Sequence, residues 1–218
     1  MSDRNVRKPM SPTTSSVRTY ISEVQRQILV AAERLFAEHG VVHVSLRSIG
    51  VEAGQKNNSV VQYHFATKAA LIRALYDFRM IPLNCRRLEQ LDALTDPSVH
   101  ELVDAFIRPL GTAVVEAAGA NSYARFLHRY LDEAKGEFEL FEGRHTRGVT
   151  IIYGLLNTRL GHLAGAAQTE RIHQMNTIVT AVLADIENRL GEHRIDRTQA
   201  AVAVDSLVSG TTAFLQAP

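Results

Sequence analysis

The chain has 218 residues, of which 45% are hydrophobic and 22% charged, an ordinary globular composition that allows one or two domains with a sizeable core. One cysteine, Cys85, excludes a disulfide framework and zinc sites built on cysteine pairs. The sequence contains no membrane-length apolar run and no signal-peptide segment, so we expect a soluble, cytoplasmic protein without membrane contacts.

The net charge of +1 is unevenly distributed along the chain. Residues 1–80 carry eleven basic and six acidic side chains, a net of +5, whereas the remainder carries 13 basic and 17 acidic side chains, a net of −4. Chance fluctuation is one explanation of this asymmetry. The other is a protein that contacts a polyanion at one end only.

The first 19 residues are rich in Ser, Thr, Pro and basic side chains and offer almost nothing to bury. This composition predicts a disordered basic arm over residues 1–19. Its cations either follow a polyanion or belong to a solvated tail, and the sequence leaves both alternatives open. The cations are Arg4, Arg7, Lys8 and Arg18.

Two helices and a tight turn are predicted next. Apolar spacing of three and four predicts a helix over 22–39, which Gly40 ends. A second, shorter helix runs from its N-cap Ser45 to Gly54, because glycine tolerates the left-handed conformation of a helix stop. Three valines of the connecting loop, Val41, Val42 and Val44, are expected to fill the corner beneath the turn.

A third short helix, within residues 57–65, turns Val60, Val61 and Phe65 inward and leaves amide and hydroxyl side chains outside. Such side chains form a poor core, but they hydrogen-bond well with base edges and phosphates. The three segments therefore predict a helix-turn-helix, whose second helix enters the major groove of DNA. Three adjacent residues compete to cap this recognition helix, and Ser59 with Gln62 has the spacing of a capping box. The competitors are Asn57, Asn58 and Ser59.

These residues resemble the TetR family of bacterial transcriptional repressors, from Val24 to about Arg79. The segments that carry the resemblance are AAERLF at 31–36 with Gly40, SLRSIGVEAG at 45–54, YHF at 63–65 and TKAAL at 67–71. The chain has one residue more between Gly54 and Phe65 than the commoner family form, which leaves the register of the recognition helix open. A branch of the family carries a similar Asn-Asn-Ser stretch.

We expect ten residues to contact DNA. Arg47 and Ser48 clamp the backbone from the second helix, unless Arg47 is an ordinary surface charge. The resemblance implies a phosphate contact for Lys68, while Tyr63 either stacks on the first helix or donates its hydroxyl to a phosphate. The full set is Arg47, Ser48, Lys56, Asn57, Asn58, Ser59, Gln62, Tyr63, His64 and Lys68.

The rest of the chain is also predicted to be helical. A fourth helix starts at the N-cap Thr67 and passes Met80, with Pro82 kinking or interrupting it. Further helices are predicted over 98–118, 121–134, 146–164, 169–191 and 198–216. The predicted fold is therefore all-α, with a three-helix DNA-binding domain over 20–66 and a larger helical ligand-binding and dimerisation domain over 67–218.

The resemblance implies a dimer and a ligand pocket in this larger domain. The broad apolar stripes of the last two helices either meet their copies in a four-helix seam or form internal core. The expected seam residues are Val179, Val182, Ile186, Val204, Leu207 and Thr211. Pocket candidates mix aromatic area with polar groups, although a core or rim position is the commoner role for such residues. They are Phe106, Phe126, Arg129, Tyr130, Tyr153 and Asn157, with Phe138 and Phe141 as a gate or as anchors of their acidic loop.

The sequence lacks a phosphate-binding glycine loop, a nucleophile elbow and an HExxH motif, and its nine histidines show no metal spacing. We therefore expect no enzyme activity, no metal and no cofactor. The sequence predicts a ligand-responsive repressor that binds palindromic operator DNA as a homodimer. The alternative is a helical dimeric module that binds a small molecule or a protein and no longer uses DNA. Effector, operator and the sign of regulation are not readable from the sequence.

Overall fold

The computed structural model describes residues 21–57, 59–133 and 146–218, and the regular elements within these ranges are all α-helices. The predicted fold class is therefore confirmed. In chain order the helices are α1 (Glu23–His39), α2 (Leu46–Glu52), α3 (Val60–Phe65), α4 (Lys68–Asp92), α5 (Val99–Ala117), α6 (Tyr123–Glu133), α7 (Arg147–Arg159), α8 (Gly165–Gly191) and α9 (Arg197–Gln216). The predicted arm over 1–19, the residue Asn58 and the proposed loop anchors Phe138 and Phe141 lie outside the described residues.

The ends of α1 are fixed by local chemistry. Ser22 accepts a hydrogen bond from the Gln25 amide, and the Gln25 side chain accepts one from the Ser22 amide in return. At the other end Gly40 adopts φ 81°, and its N–H donates to the Phe36 carbonyl at 3.0 Å. The positive φ is what favours glycine here, since the Glu133 carboxylate that lies where a Cβ would be is the end of a flexible side chain.

The N-terminal helices enclose a small core of their own. Side chains of α1, α2, α3 and the start of α4 bury Phe36, Ile49, Val61 and Leu71 almost completely. Val44 of the connecting loop is buried as predicted. Val42 is largely exposed, so the prediction that it fills the corner is wrong.

Helix α4 joins the two parts of the molecule. It continues through Pro82, which contradicts the predicted interruption. Pro82 is exposed, and α4 packs against α1 and α3 near its start and against α5 and α7 further along. These contacts hold the helix where the missing N–H weakens it. The proposed domain boundary at 66/67 stays a prediction.

The larger part of the chain is a helical bundle around α5. This helix contacts α4, α7, α8 and α9, while α6 packs between α1 and α8. Helix α7 ends at Arg159 and α8 begins at Gly165, so the predicted boundaries near residues 164 and 169 are both about four residues late. Within the described ranges, no helix combines the length and apolar character needed to cross a membrane.

Candidate nucleic-acid interface

The turn between α2 and α3 has the geometry of a helix stop. After Ala53, Gly54 adopts φ 68° in the left-handed region, as predicted. The Gln55 N–H then donates to the Gly50 carbonyl at 3.0 Å, which satisfies an end carbonyl of α2. This hydrogen bond reverses the chain, so that it enters α3 only a few residues later.

Helix α3 begins at Val60 with Ser59 as its N-cap residue, one of the three positions that the sequence offered. The Asn57 side chain accepts a hydrogen bond from the Ser59 N–H at 2.9 Å, whereas the Ser59 hydroxyl makes no capping bond. The predicted Ser59–Gln62 capping box is therefore wrong, because the turn formed by Asn57 already engages the amide of Ser59. Asn57 and Ser59 consequently lie in the turn before α3 and not on the helix.

Helix α3 separates buried and exposed side chains as expected. Val61 and Phe65 are buried, while Gln62 and Tyr63 point to solvent. Tyr63 is 82% exposed and its ring meets His64 edge-on at a centroid distance of 5.1 Å. Stacking of Tyr63 on α1 is thus contradicted, and its hydroxyl is available to an external partner.

The cations of this region fall into two groups. Every carboxylate between residues 21 and 80 lies within ion-pair distance of an arginine; the pairs are Arg26 with Glu23, Arg34 with Glu38 and Glu52, Arg73 with Asp77, and Arg79 with Glu33. Within the part of the chain that the structure describes, the remaining lysines and arginine of this region have no carboxylate partner. These unpaired cations are Arg47, Lys56 and Lys68.

All three unpaired cations flank the helix-turn-helix. Arg47 lies in the first turn of α2, Lys56 in the turn before α3, and Lys68 at the first position of α4. Thr67 caps α4 as predicted, since its hydroxyl accepts from the Ala70 N–H at 3.1 Å. The Lys68 ammonium donates to the Val42 carbonyl at 3.3 Å, which holds it beside the loop that leads into α2.

Ser48 is less available than the sequence suggested. Its hydroxyl donates to the Ser45 carbonyl at 2.8 Å and accepts from the Ser45 N–H at 3.0 Å. Ser45 in turn accepts from the Ser48 N–H, completing a reciprocal cap. The predicted backbone clamp at Ser48 is therefore better described as the residue that fixes the start of α2 and, with it, the position of Arg47.

The six proposed pocket residues do not surround one cavity. Phe126 packs against Phe36 of α1 at a ring-centroid distance of 5.9 Å, with Tyr130 on its other side. Arg129 donates to the Glu38 carbonyl of α1 and to Glu133. These three candidates therefore fasten α6 to the DNA-binding helices, and the prediction of one shared pocket is wrong.

The remaining pocket candidates lie elsewhere. Phe106 and Tyr153 pack together at 5.7 Å in the body, between α5 and α7. Asn157 is exposed, and its backbone carbonyl accepts from the Gln168 side chain. Only Phe106 and Tyr153 thus remain together at a position inside the bundle.

The expected dimer residues are mostly internal. Val182 is partly exposed, but the others are buried within a single chain because α5 and α6 cover that side of α8 and α9. The prediction that they face a partner is wrong. The buried five are Val179, Ile186, Val204, Leu207 and Thr211.

Two buried carboxylates, which the sequence analysis missed, hold the start of α6. Glu33 of α1 receives two hydrogen bonds from Arg79, at 2.6 and 3.0 Å, and one from the Ser122 N–H at 2.8 Å. Glu187 of α8 accepts from the amides of Ala124 and Arg125 at 3.1 and 3.0 Å. Burial raises the pKa of Glu187 to about 7, against the lowering effect of these amides.

A sequence signal for such residues existed. Glu33 lies four residues after Leu29 and three before Phe36, so it occupies the apolar stripe of α1. Glu187 stands in the same relation to Leu183 and Leu190 on α8. A charge on an apolar stripe predicts a buried polar partner. It does not identify that partner, which lies up to 89 residues away.

The geometry defines a helix-turn-helix DNA-binding domain on a larger helical body. The sequence model of bacterial regulatory proteins of the tetR family matches residues 28–75. Residues 28–75 are thus similar to the helix-turn-helix segment of that family, and a larger all-helical part follows them in the chain.

Solved structures share this fold at low sequence identity. The fatty acid degradation regulator FadR from Bacillus halodurans has a TM-score of 0.55 and 16% identity, over 86% of this chain and 95% of that one. A TetR-like regulator from Rhodococcus sp. RHA1 has a TM-score of 0.53 and 15% identity, over 87% and 96%. A putative TetR-family regulator from Rhodococcus sp. gives 0.52 and 15%, over 88% and 100%. No curated protein matches the sequence.

Proposed function

We propose that the protein is a ligand-responsive transcriptional repressor that binds palindromic operator DNA as a homodimer. The observation that carries this proposal is the division of cations in the N-terminal domain. Every carboxylate there already has an arginine partner, and the cations left over flank the helix-turn-helix. Such cations are suited to neutralise phosphates and release counterions.

Separate groups would position the protein and read the sequence. Arg47, Lys56 and Lys68 would contact the DNA backbone on both sides of α3. Gln62, exposed on α3, offers an amide that pairs with adenine, and Tyr63 offers a hydroxyl to a neighbouring phosphate. We further propose that Asn57 and Ser59 contact DNA from the turn, that Asn58 also contacts DNA, and that His64 supports Tyr63 through their ring contact.

A dimer would use the outward faces of α8 and α9. Five exposed residues of α9 are small or apolar and recur at helical spacing: Val202, Ser206, Ser209, Gly210 and Ala213. Ile178 and Val182 of α8 are at least partly exposed on the helix beside it. Small residues let two helix pairs approach closely, and two recognition helices on one face of DNA must lie roughly 34–36 Å apart.

Ligand response would act through α4. This helix begins with Lys68 at the proposed DNA surface and continues into the body, where Asn84 accepts from the Gly148 N–H of α7 at 2.7 Å. A ligand that binds one arrangement of α4 and α7 better than another would change the separation of the recognition helices.

The proposed function is tested by selecting bound sequences from random duplex DNA with the purified full chain. Enrichment of an inverted repeat whose half-sites lie about one helical turn apart is the expected result. Recovery of no preferred duplex, together with salt-insensitive binding, would favour the alternative of a helical module that no longer uses DNA.

The dimer surface is tested separately by Val202→Glu. Val202 is 63% exposed, so the variant should fold normally, sediment as a monomer and lose tight operator binding. Val51→Glu is the matched control, because Val51 is 64% exposed on α2 and lies in the DNA-binding domain. A Val202→Glu protein that remains a dimer would place the interface elsewhere.

A further inference from the structure

Arg87 is the most deeply buried arginine of the described chain. Only 3% of its surface is exposed, at a point in the bundle where α4 meets α5. Its guanidinium donates to the Phe106 carbonyl at 3.2 and 3.4 Å and to the Met80 sulfur at 3.2 Å. The Phe106 ring lies 5.7 Å away. These contacts supply hydrogen-bond acceptors, but none of them carries a negative charge.

Two other partly buried arginines of the described chain, Arg79 and Arg125, each lie beside a buried carboxylate, whereas the partly buried Arg171 donates to the Phe214 and Ala217 carbonyls. Arg79, eight residues before Arg87 on α4, donates two hydrogen bonds to the Glu33 carboxylate. Arg125 lies 3.4 Å from the carboxylate of Glu187. Among the described residues no carboxylate forms an ion pair with Arg87, although it is the arginine for which an unneutralised charge costs most. Burial accordingly lowers the pKa of Arg87 from its ordinary value.

A second unsatisfied group lies in the same region. Tyr123 is 2% exposed, and its buried hydroxyl has no hydrogen-bond partner among the residues that the structure describes. Tyr123, Tyr76 and Tyr153 all lie close enough to Arg87 to interact with it electrostatically. An unpaired buried hydroxyl near an unneutralised guanidinium is unfavourable in the free protein. A single anionic group with two oxygens would satisfy both.

We propose that the Arg87–Tyr123 region is the effector site, and that its effector is an amphipathic monocarboxylate. One carboxylate oxygen pair matches the donor fork of a guanidinium. Arg87 supplies one positive charge, so a monoanion neutralises the site, whereas a phosphate dianion would leave a buried negative charge. The apolar part of the ligand would lie against Phe106 and Met80, which border the guanidinium.

Binding at this position would act directly on α4. Arg87 and Lys68 belong to the same helix, 19 residues and thus about 28 Å apart. Gly148 of α7 packs so closely that a Cβ there would lie 3.0 Å from the Arg87 Cβ. A ligand at the guanidinium would lie close to this contact, and by binding one arrangement of α4 and α7 better than another it would shift the equilibrium between them. This link to operator release rests on the proposed function; the anion site itself does not.

Thermal unfolding without DNA tests the site. The probes are sodium octanoate and sodium 4-phenylbutyrate, each compared with its primary amide. We expect the carboxylates to raise the melting temperature, by about 5–10 °C at a hundredfold excess over the dissociation constant, and the amides to have no such effect. Arg87→Gln should lose the shift and Tyr123→Phe should reduce it. Arg86→Gln is the matched control, since Arg86 is the exposed neighbour on the same helix and should retain the shift.

Amides that stabilise as well as carboxylates, an Arg87→Gln protein that keeps the response, or a wild type that responds to neither acid would each overturn the proposal. The thermal unfolding assay contains no DNA, so its outcome does not depend on whether the protein binds an operator. A thermal shift without operator release would leave the site intact and instead contradict the ligand response in the proposed function.

A comparison without ligand gives an independent test. Arg87→Met replaces a buried cation that has no counter-charge, so its melting temperature should equal or exceed that of the wild type. Arg79→Met breaks a formed ion pair and should lower the melting temperature. If the melting temperature of Arg87→Met falls as far as that of Arg79→Met, then Arg87 already has a structural counter-charge and the proposal is wrong.

Discussion

The N-terminal helices and the helical body both contain cations without a carboxylate partner among the described residues, and those of the body range from the exposed Arg147 and Arg197 to the buried Arg87. Around the helix-turn-helix the unpaired cations Arg47 and Lys56 are exposed and Lys68 is half-buried. In the body Arg87 is almost completely enclosed. An exposed charge is solvated and costs little, so several can be kept for a polyanion. A buried charge is costly, so it suits one small anion that enters the same enclosed space.

On the proposed function, an ion pair makes a cation unavailable to a ligand, whatever the net charge of the region. The two regions also contain arginines that are fully engaged, such as Arg26 with Glu23 and Arg79 with Glu33. These ion pairs contribute to the charge of each region without being available to a partner.

The largest expected effect comes from creating a second unneutralised cation. Glu33→Ala leaves Arg79 without its carboxylate and the Ser122 amide without its acceptor. We expect the free energy of unfolding in urea to fall by about 3–5 kcal/mol. Glu23→Ala, which removes an exposed carboxylate from Arg26, should leave it nearly unchanged, because solvent screens this ion pair. Equal losses of unfolding free energy in the two variants would show that the buried Glu33–Arg79 pair matters no more for stability than the exposed Glu23–Arg26 pair.

The next effect concerns pH. The pKa of Glu187 is raised from 4.5 to about 7 by burial, so the folded protein holds a proton there that the unfolded chain releases. Stability should therefore fall as pH rises between about 4.5 and 7, by about 3 kcal/mol in total.

Glu187→Gln isolates this contribution, because other titrating groups cancel in the comparison with the wild type. The difference in unfolding free energy between the two proteins should shift by about 3 kcal/mol in favour of the variant between pH 4.5 and pH 8. If the difference in unfolding free energy between the two proteins stays constant from pH 4.5 to pH 8, Glu187 does not titrate in this pH range and the prediction is wrong.

The sequence was sufficient to predict the helices and most of their caps, because periodicity and capping are local. Ser45 and Thr67 cap the helices for which they were predicted. The start of α3 was not predictable in the same way, since Asn57 and Ser59 both offer a suitable side chain two residues apart. The structure shows that the Asn57 side chain accepts the hydrogen bond from the Ser59 N–H.

Long-range arrangement was the part that the sequence left undetermined. The apolar stripes of α8 and α9 are broad enough to turn toward the core or a partner, and only their packing against α5 and α6 makes Leu207 internal and Val202 external. Arg87 lies on the apolar stripe of α4, four residues after Leu83. That position indicates burial, but the lack of a carboxylate partner depends on helices distant in sequence.

A smaller effect separates base reading from backbone contact within the N-terminal domain. Gln62→Ala should cost about 1–3 kcal/mol at one base pair of each half-site, because its amide is exposed on α3 and carries no charge. Binding measured across single-base variants of the selected operator checks this. A uniform loss over all variants would assign Gln62 to the backbone.

The most direct test of the central claim is the salt dependence of operator binding. We predict that Arg47→Ala, Lys56→Ala and Lys68→Ala each reduce the slope of log affinity against log salt by about one per half-site. Arg26→Ala removes the same charge from a cation that is already paired with Glu23, so its slope should equal that of the wild type. If Arg26→Ala reduces the slope as much as the three variants do, pairing does not distinguish the cations that contact DNA and the account is contradicted.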